Sequence, residues 1–367
     1  MSGVRMLAAL RSPVAPRGGA LARLELPQLG APVLARAIAA AGLAPEAVDE
    51  VILGNALGAG GNPARLVALA AGLPQRVAGL SIDRQCCGGL DALVLGAAMI
   101  AAGQCEVVAA GGVESYSRRP LRLRTDPDGG APQAYDRPPF TPWPDRDPEM
   151  HAAAEALAEA QGIAAEAQAL WAVDSHRKAR AAALADEIVP LEGLQHDAFT
   201  RDLTPRLAAR APRLAGTISA ATAAVAADAA AVCILVSDRV AARLGRAGLR
   251  WIGGVTLGDQ PDLPGVAPVA AIAELLRRAG LAPRDLAVAE IMEAYAVQAI
   301  ACVAGAGLDP GIVNPGGGAL ARGHPVGASG AINAVRLFHE LHPRDGPGLA
   351  AIAAAGGLGT AVLLARG

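Results

Sequence analysis

The sequence predicts an α/β protein made of two similar βαβ halves with a long insertion in the first. Three observations carry that reading. Short apolar runs that end in glycine alternate with alanine-rich helical stretches, as buried strands and their covering helices do. Between Arg118 and Pro148 the composition shifts abruptly to proline, arginine and aspartate, which marks an excursion from the sheet. The second half also repeats the first. Ala41-Gly42-Leu43-Ala44-Pro45 returns 238 positions later as Ala279-Gly280-Leu281-Ala282-Pro283, and Val108-Ala109-Ala110-Gly111-Gly112 is echoed by Ala353-Ala354-Ala355-Gly356-Gly357.

In chain order, Val4 to Leu10 reads as a strand and residues 29–41 as a helix stopped at Gly42 and Pro45. Val48 to Leu53 is a buried strand ending in Gly54. Asn62-Pro63 opens a helix running to Gly72, with proline where a helix tolerates it. Val77 to Ile82 is strand-like, and a Cys-Cys-Gly-Gly turn leads into a helix from about Leu90 to Ala102. Glu106 to Ala110 is a strand closed by Gly111-Gly112. The alternation predicts a parallel sheet covered on both faces. Residues 151–186 are helical, residues 187–215 irregular, and Ala230 to Val236 rejoins the sheet. Pro325 introduces a helix that runs to Leu341.

Composition narrows the function classes. A chain of 367 residues with 53% hydrophobic residues has ample core for two or three domains. A net charge of −2 excludes nucleic acid and anionic membrane surfaces as expected partners. The cysteines, at 86, 87, 105, 233 and 302, show no metal spacing and read as reduced in a cytoplasmic protein. Met1 to Pro13 has no apolar core of a signal peptide, and the apolar stretch Ile218 to Val236 carries Asp228, so no membrane span is expected.

The chemistry concentrates in two turns. The repeat offset places Cys86 and His324 at equivalent positions, each at the start of a covered helix and at the carboxyl end of a strand, where ligands of α/β sheets lie. A helix N-terminus favours a thiolate and a facing imidazole can take its proton. The ordinary fate of a free cysteine is a small buried core residue, which is the reading for Cys87, Cys105, Cys233 and Cys302. The run Gly316-Gly317-Gly318 is read as letting backbone approach a ligand closely.

Here the sequence resembles the thiolase family over nearly its whole length. The resemblance rests on Ile82-Asp83-Arg84-Gln85-Cys86-Cys87-Gly88-Gly89-Leu90, on Gly58 to Leu69, on Gly111-Gly112-Val113-Glu114-Ser115, and most specifically on Gly323-His324-Pro325-Val326-Gly327-Ala328-Ser329-Gly330. Within the excursion, Glu155 and Asp174-Ser175-His176 resemble the loop domain that covers coenzyme A. The resemblance implies a five-layered α-β-α-β-α fold, with residues 1–117 and 215–245 as the N-terminal half, 118–214 as the loop domain and 246–367 as the C-terminal half. It implies a homodimer or homotetramer, with a coenzyme A thioester as substrate and no permanently bound cofactor. Cys86 would carry the acyl group and His324 would activate it. Backbone N–H groups at Cys86 and Ala355 would form the oxyanion hole, and Met150, Ala224, Ala294 and Tyr295 would contact coenzyme A.

Two positions depart from the family pattern. Ala353 stands where thiolases carry a second cysteine that moves the α-carbon proton, and no cysteine follows Cys302. Met292, in Met292-Glu293-Ala294-Tyr295, replaces the asparagine of an Asn-Glu-Ala-Phe motif, which holds an enolate-stabilising water. Gly88 and Ala224 also replace usual serines, and Arg322 occupies a usually apolar place, facing a neighbouring subunit or a substrate carboxylate. Acyl transfer is therefore expected to survive and carbon–carbon chemistry to be weakened. A thioester hydrolase or transacylase, and a non-catalytic acyl-CoA-binding subunit, are the competing readings.

Overall fold

The structure, a computed structural model, describes residues 3–58 and 60–366. Met1 and Ser2 of the Met1–Pro13 segment, and Ala59 within the Gly58–Leu69 match, lie outside the described residues.

The first half is built on β1 (Val4–Arg11), β2 (Glu50–Gly54), β3 (Leu80–Ile82), β4 (Val107–Ser115) and β5 (Ala227–Ser237), with the short Ala15–Pro16 strand paired to β5 off this path. Their spatial order is β3-β2-β4-β5-β1. The second half contributes β6 (Leu249–Gly258), β7 (Val288–Ile291), β8 (Pro347–Ala354) and β9 (Leu358–Arg366) in the order β7-β8-β9-β6, with Val313 bridging to Ala289 beyond β7. The same order and the same parallel or antiparallel sense therefore occur twice. β1 and β6 join the halves through Arg5 opposite Arg250 and Met6 opposite Leu249.

The sheet is mixed, not wholly parallel. β5 is antiparallel to both β4 and β1, and β9 to both β8 and β6. The parallel strand–helix alternation holds for β2 to β4 and again for β7 to β8, whereas the excursion and the short β8–β9 turn deliver β5 and β9 from the opposite end.

Helices α1 (Leu26–Ala40) and α2 (Pro63–Ala70) cover one outer face, and α6 (Ala267–Ala279) and α7 (Ala296–Gly305) the other. Between the halves lie α3 (Gly88–Ala101) and α8 (Val326–Leu341), each packed against strands of both. This gives five layers, α-β-α-β-α. The excursion contributes α4 (Met150–Gln161) and α5 (Ala165–Ala181), broken at Gly162 because its left-handed φ of 64° ends the first helix. The single helical run over 151–186 is thus two helices.

β4 does not stop at Gly111-Gly112 but continues to Ser115, fully buried. These glycines are spaces for neighbours. A Cβ on Gly112 would lie 2.1 Å from the Gly327 carbonyl oxygen, and one on Gly111 2.0 Å from that of Ala231. The start of α8 therefore rests directly on the backbone of β4.

A buried ionic cluster ties the excursion to this frame. Arg11 on β1 pairs with Glu187 and Asp197, each at 2.6 Å, and Arg336 on α8 pairs with Glu187 at 2.5 Å and with Glu340. The flanking arginines hold the Glu187 carboxyl down at about 2 against the opposing effect of burial. Arg322 is buried beside this cluster and donates to the Gly316 and Gly317 carbonyls at 3.3 and 2.6 Å. Within the chain it faces neither a substrate nor open surface, and its role is to hold the glycine run.

Gly112→Ala should cost at least ~1–3 kcal/mol, the usual penalty of overpacking, because the added methyl meets the Gly327 and Ala328 backbone of α8. Chemical denaturation measures the loss. An unchanged midpoint would show that α8 does not rest on β4 this closely.

Candidate active site

Cys86 sits in a 3-10 turn, Gln85–Cys87, between β3 and α3. Gln85 adopts φ 45°, a left-handed conformation rare for a side-chain-bearing residue, and is the strained point that turns the chain from strand to helix. His324 follows the short helical turn Ala319–Arg322 and precedes α8, and its backbone N–H donates to Val225 O at 2.8 Å. The two turns meet: Cys86 Sγ lies 3.2 Å from His324 Nε2.

The tautomer follows from the partners of the other ring nitrogen. Ser329 Oγ donates its single proton to the Pro325 carbonyl at 3.2 Å and lies 2.7 Å from His324 Nδ1. With the Ser329 proton directed to Pro325, the proton of the ring is assigned to Nδ1 and the lone pair facing the thiol to Nε2. Burial pushes the imidazole pKa down to about 4. It pushes the Cys86 thiol up to about 12, with Glu114 and Asp83 adding repulsion. At rest the pair is a neutral thiol beside a neutral base, and not the dipole-stabilised thiolate that the helix-start argument suggests; desolvation outweighs the helix end.

Glu114 fixes the surroundings. Its buried carboxylate accepts from the N–H groups of Ala56 and Gly327 at 2.9 Å each and from Asn55 Nδ2 at 2.7 Å. It thereby clamps the loop after β2 to the start of α8. Burial raises its pKa to about 7 despite those donors. Nothing in the sequence beyond the Gly-Gly-Val-Glu-Ser match pointed to this residue.

Cys86 and His324 form part of the floor of a cavity of about 770 Å³. Met150, Ala224, Ala294 and Tyr295 line it, as do Ala353 and Ala355. Tyr295 Oη lies 2.9 Å from His151 Nδ1, a link between the C-terminal half and the excursion that the sequence did not suggest. Gln85 also lines the cavity, and among the described residues its Oε1 has no hydrogen-bond partner, which leaves an acceptor for a ligand.

Other residues fall outside. Met292 is buried at 1% exposure among core residues and does not line the cavity. Cys87 is buried with its Sγ 3.5 Å from Ile352 O, and Cys105, Cys233 and Cys302 are buried as well. The run Gly316–Gly318 meets protein, not a ligand: a Cβ at these positions would strike Arg336, the Ser175 carbonyl and Glu293 respectively. Ser175 donates to Glu293 at 2.7 Å, Trp171 and Asn314 donate to the same carboxylate, and Glu155 accepts from Thr217. His176 accepts from the Arg201 N–H. Glu155 and Ser175 thus tie the excursion to Thr217 and Glu293 outside it, His176 contacts Arg201 within it, and none of the three lines the cavity.

Residues 4–239 match the family model of the thiolase N-terminal domain, and residues 250–366 that of the thiolase C-terminal domain. An acetyl-CoA acetyltransferase of Cupriavidus necator is 39% identical over 392 residues, with 100% of each chain covered. A putative acetyl-CoA C-acetyltransferase of Bacillus subtilis is 40% identical over 329 residues, covering 86% of this chain and 87% of its own. The crystal structure of a Bacillus anthracis acetyl-CoA acetyltransferase superposes with a TM-score of 0.93 at 34% identity, covering 100% of this chain and 99% of that one. An Ascaris suum thiolase in complex with coenzyme A gives 0.92 at 32% identity, covering 99% and 100%. The chain belongs to the thiolase family.

With Nε2 as the base, alkylation of Cys86 by iodoacetamide should be nearly independent of pH from about 5 to 9, because the proton stays within the pair. In His324→Asn the same rate should fall by at least ~10²-fold at pH 7 and climb tenfold per pH unit, as for an isolated thiol with a raised pKa. A variant that kept the flat profile would show that His324 is not the base.

Proposed function

We propose that the protein is a thiolase-type acyltransferase that works through an acyl-Cys86 intermediate and performs carbon–carbon chemistry poorly. The observation that carries this reading is the 3.2 Å contact between Cys86 Sγ and Nε2 of His324, both lining the cavity. A coenzyme A thioester enters past Met150, Ala224, Ala294 and Tyr295. As Cys86 Sγ bonds to the thioester carbon, its proton passes to Nε2. The carbonyl oxygen gathers charge against backbone N–H groups of Cys86 and Ala355. The carbon–sulfur bond to coenzyme A then breaks, and the Nε2 proton leaves with the thiol. A second thiol reverses these steps and takes the acyl group. Residues 118–214 serve as the loop domain over coenzyme A, and a dimer or tetramer is the working form.

Claisen condensation and thiolysis need, in addition, a group that moves the proton on the α-carbon of acetyl-CoA. Ala353 lines the cavity where that group stands in the family, and a methyl cannot exchange a proton. The loss of one acid/base group typically costs ~10²–10⁴-fold. The orientation of Met292 matters here. Since it packs into the core, Met292→Asn would bury an amide and cost roughly 1–3 kcal/mol without placing a donor in the cavity.

Two exchange reactions separate the steps. Labelled coenzyme A should exchange into acetyl-CoA readily and be lost in Cys86→Ala, whereas tritium should leave the acetyl methyl group slowly. Ala353→Cys should raise the tritium loss at least ~10-fold, a modest share of an acid/base contribution, and leave thiol exchange nearly unchanged. Rapid methyl exchange by the unaltered protein would mean that another base serves the α-carbon. Absence of thiol exchange would favour a binding subunit.

A further inference from the structure

The cavity has two walls of different chemistry. Met150, Leu157, Gly265, Tyr295 and Gln298 form one, where α4 and α7 pack on the Pro264–Val266 turn. Tyr116, Arg119, Arg122, Arg137 and Phe140 form the other, in which Arg122 lies against Ala56 and Leu57. The cations of the second wall are not equivalent. Arg137 is committed to Asp147 at 3.1 Å and Glu149 at 3.4 Å, and Arg119 pairs with Asp136 at 2.6 Å. Arg122 has carbonyl partners only, those of Leu57 at 2.9 Å and of Ala56 and Asp136 at 3.3 Å each. Among the described residues no carboxylate lies within ion-pair distance of it.

Tyr116 connects this wall to the reactive thiol. Its ring lies 5.8 Å from the Arg119 guanidinium carbon, and it lines the same cavity as Cys86. Among the described residues its hydroxyl has no protein hydrogen-bond partner. The cavity that holds Cys86 thus offers, on this wall, an unclaimed hydroxyl and a guanidinium without a counter-charge. An alkyl tail placed here would strip water from that cation and return nothing. A carboxylate would meet a planar donor fork already oriented by its carbonyl contacts.

We propose that this wall receives the distal end of the acyl group and selects chains that terminate in a carboxylate, held by Arg122 with help from the Tyr116 hydroxyl. This deepens, and rests on, the acyl-Cys86 reading. The specificity is for the tail and leaves the thioester steps at Cys86 as described.

The test compares adipyl-CoA with hexanoyl-CoA, which share a six-carbon chain and differ in its end, by the rate at which each acylates Cys86. Adipyl-CoA should be at least ~10-fold faster in kcat/KM, the scale of one charge-assisted contact. Arg122→Gln should bring the ratio of the two substrates close to one, Arg122→Lys should keep part of it, and Tyr116→Phe should lower it less. Equal rates for the two thioesters, or a ratio unmoved in Arg122→Gln, overturn the proposal while the acyl-enzyme stands. Arg122 could instead serve the coenzyme A phosphates. In that case Arg122→Gln slows both thioesters equally and leaves the corresponding S-acyl pantetheines unaffected, which also overturns it. If neither thioester acylates Cys86, the acyl-enzyme reading fails. Equilibrium binding of the same pair to Cys86→Ala then decides the tail question, and a binding ratio near one counts against selection.

Discussion

Gly89 at the start of α3 meets Gly327 and Ala331 on α8, and Gly330 on α8 meets Leu90 on α3, with no room for a side chain on either glycine. A Cβ on Gly89 would lie 2.7 Å from the Gly327 carbonyl oxygen, and one on Gly330 2.6 Å from the Leu90 nitrogen. Gly54, at the end of β2, closes the same junction from the side, since its Cβ would fall 2.5 Å from the Gly88 carbonyl carbon. Two helix starts can approach this closely only when glycine supplies the contact surface. Moving either helix outward by the width of a methyl would break a thiol–imidazole contact of 3.2 Å. The rest of the molecule keeps the two starts in place: the two halves flank α3 and α8, Glu114 binds the start of α8 to the loop after β2, and the Arg11–Glu187–Arg336 cluster anchors the far part of α8.

Desolvation then sets the chemistry. Burial disfavours both charged forms, so the thiol keeps its proton and the imidazole stays neutral until a thioester carbon accepts the sulfur electrons. A neutral pair has an advantage in such a site. It stores no uncompensated charge at rest, and the imidazolium forms only as the oxyanion develops opposite it. Glu114, also pushed upward by burial, lies close enough to add repulsion against a resting thiolate.

Much of this was legible in the residues. The two-fold repeat appears in the structure as one strand order used twice, and the offset that links Cys86 to His324 corresponds to two turns in contact. Period and glycine punctuation carry that information because they act locally. The mixed sense of the sheet was not legible, since β5 and β9 have the same apolar composition that parallel strands have, and only their connections reverse them. The glycine run Gly316–Gly318 was misread toward a ligand because glycine signals close approach without saying to what; here the neighbours are Arg336, Ser175 and Glu293. Arg322 looked like a surface or substrate contact, yet it serves buried carbonyls. The Tyr295–His151 link and the Arg122 wall join segments far apart in the chain, and no local pattern encodes such encounters.

The central claim is that Cys86, with His324 as its base, takes an acyl group from coenzyme A. Intact-protein mass spectrometry after rapid mixing with acetyl-CoA, followed by peptide mapping, tests it most directly. One acetyl group per chain should appear on Cys86, disappear on addition of free coenzyme A, and form far more slowly in His324→Asn. Acetyl on Cys87, or an unmodified chain in the presence of saturating acetyl-CoA, would contradict the account.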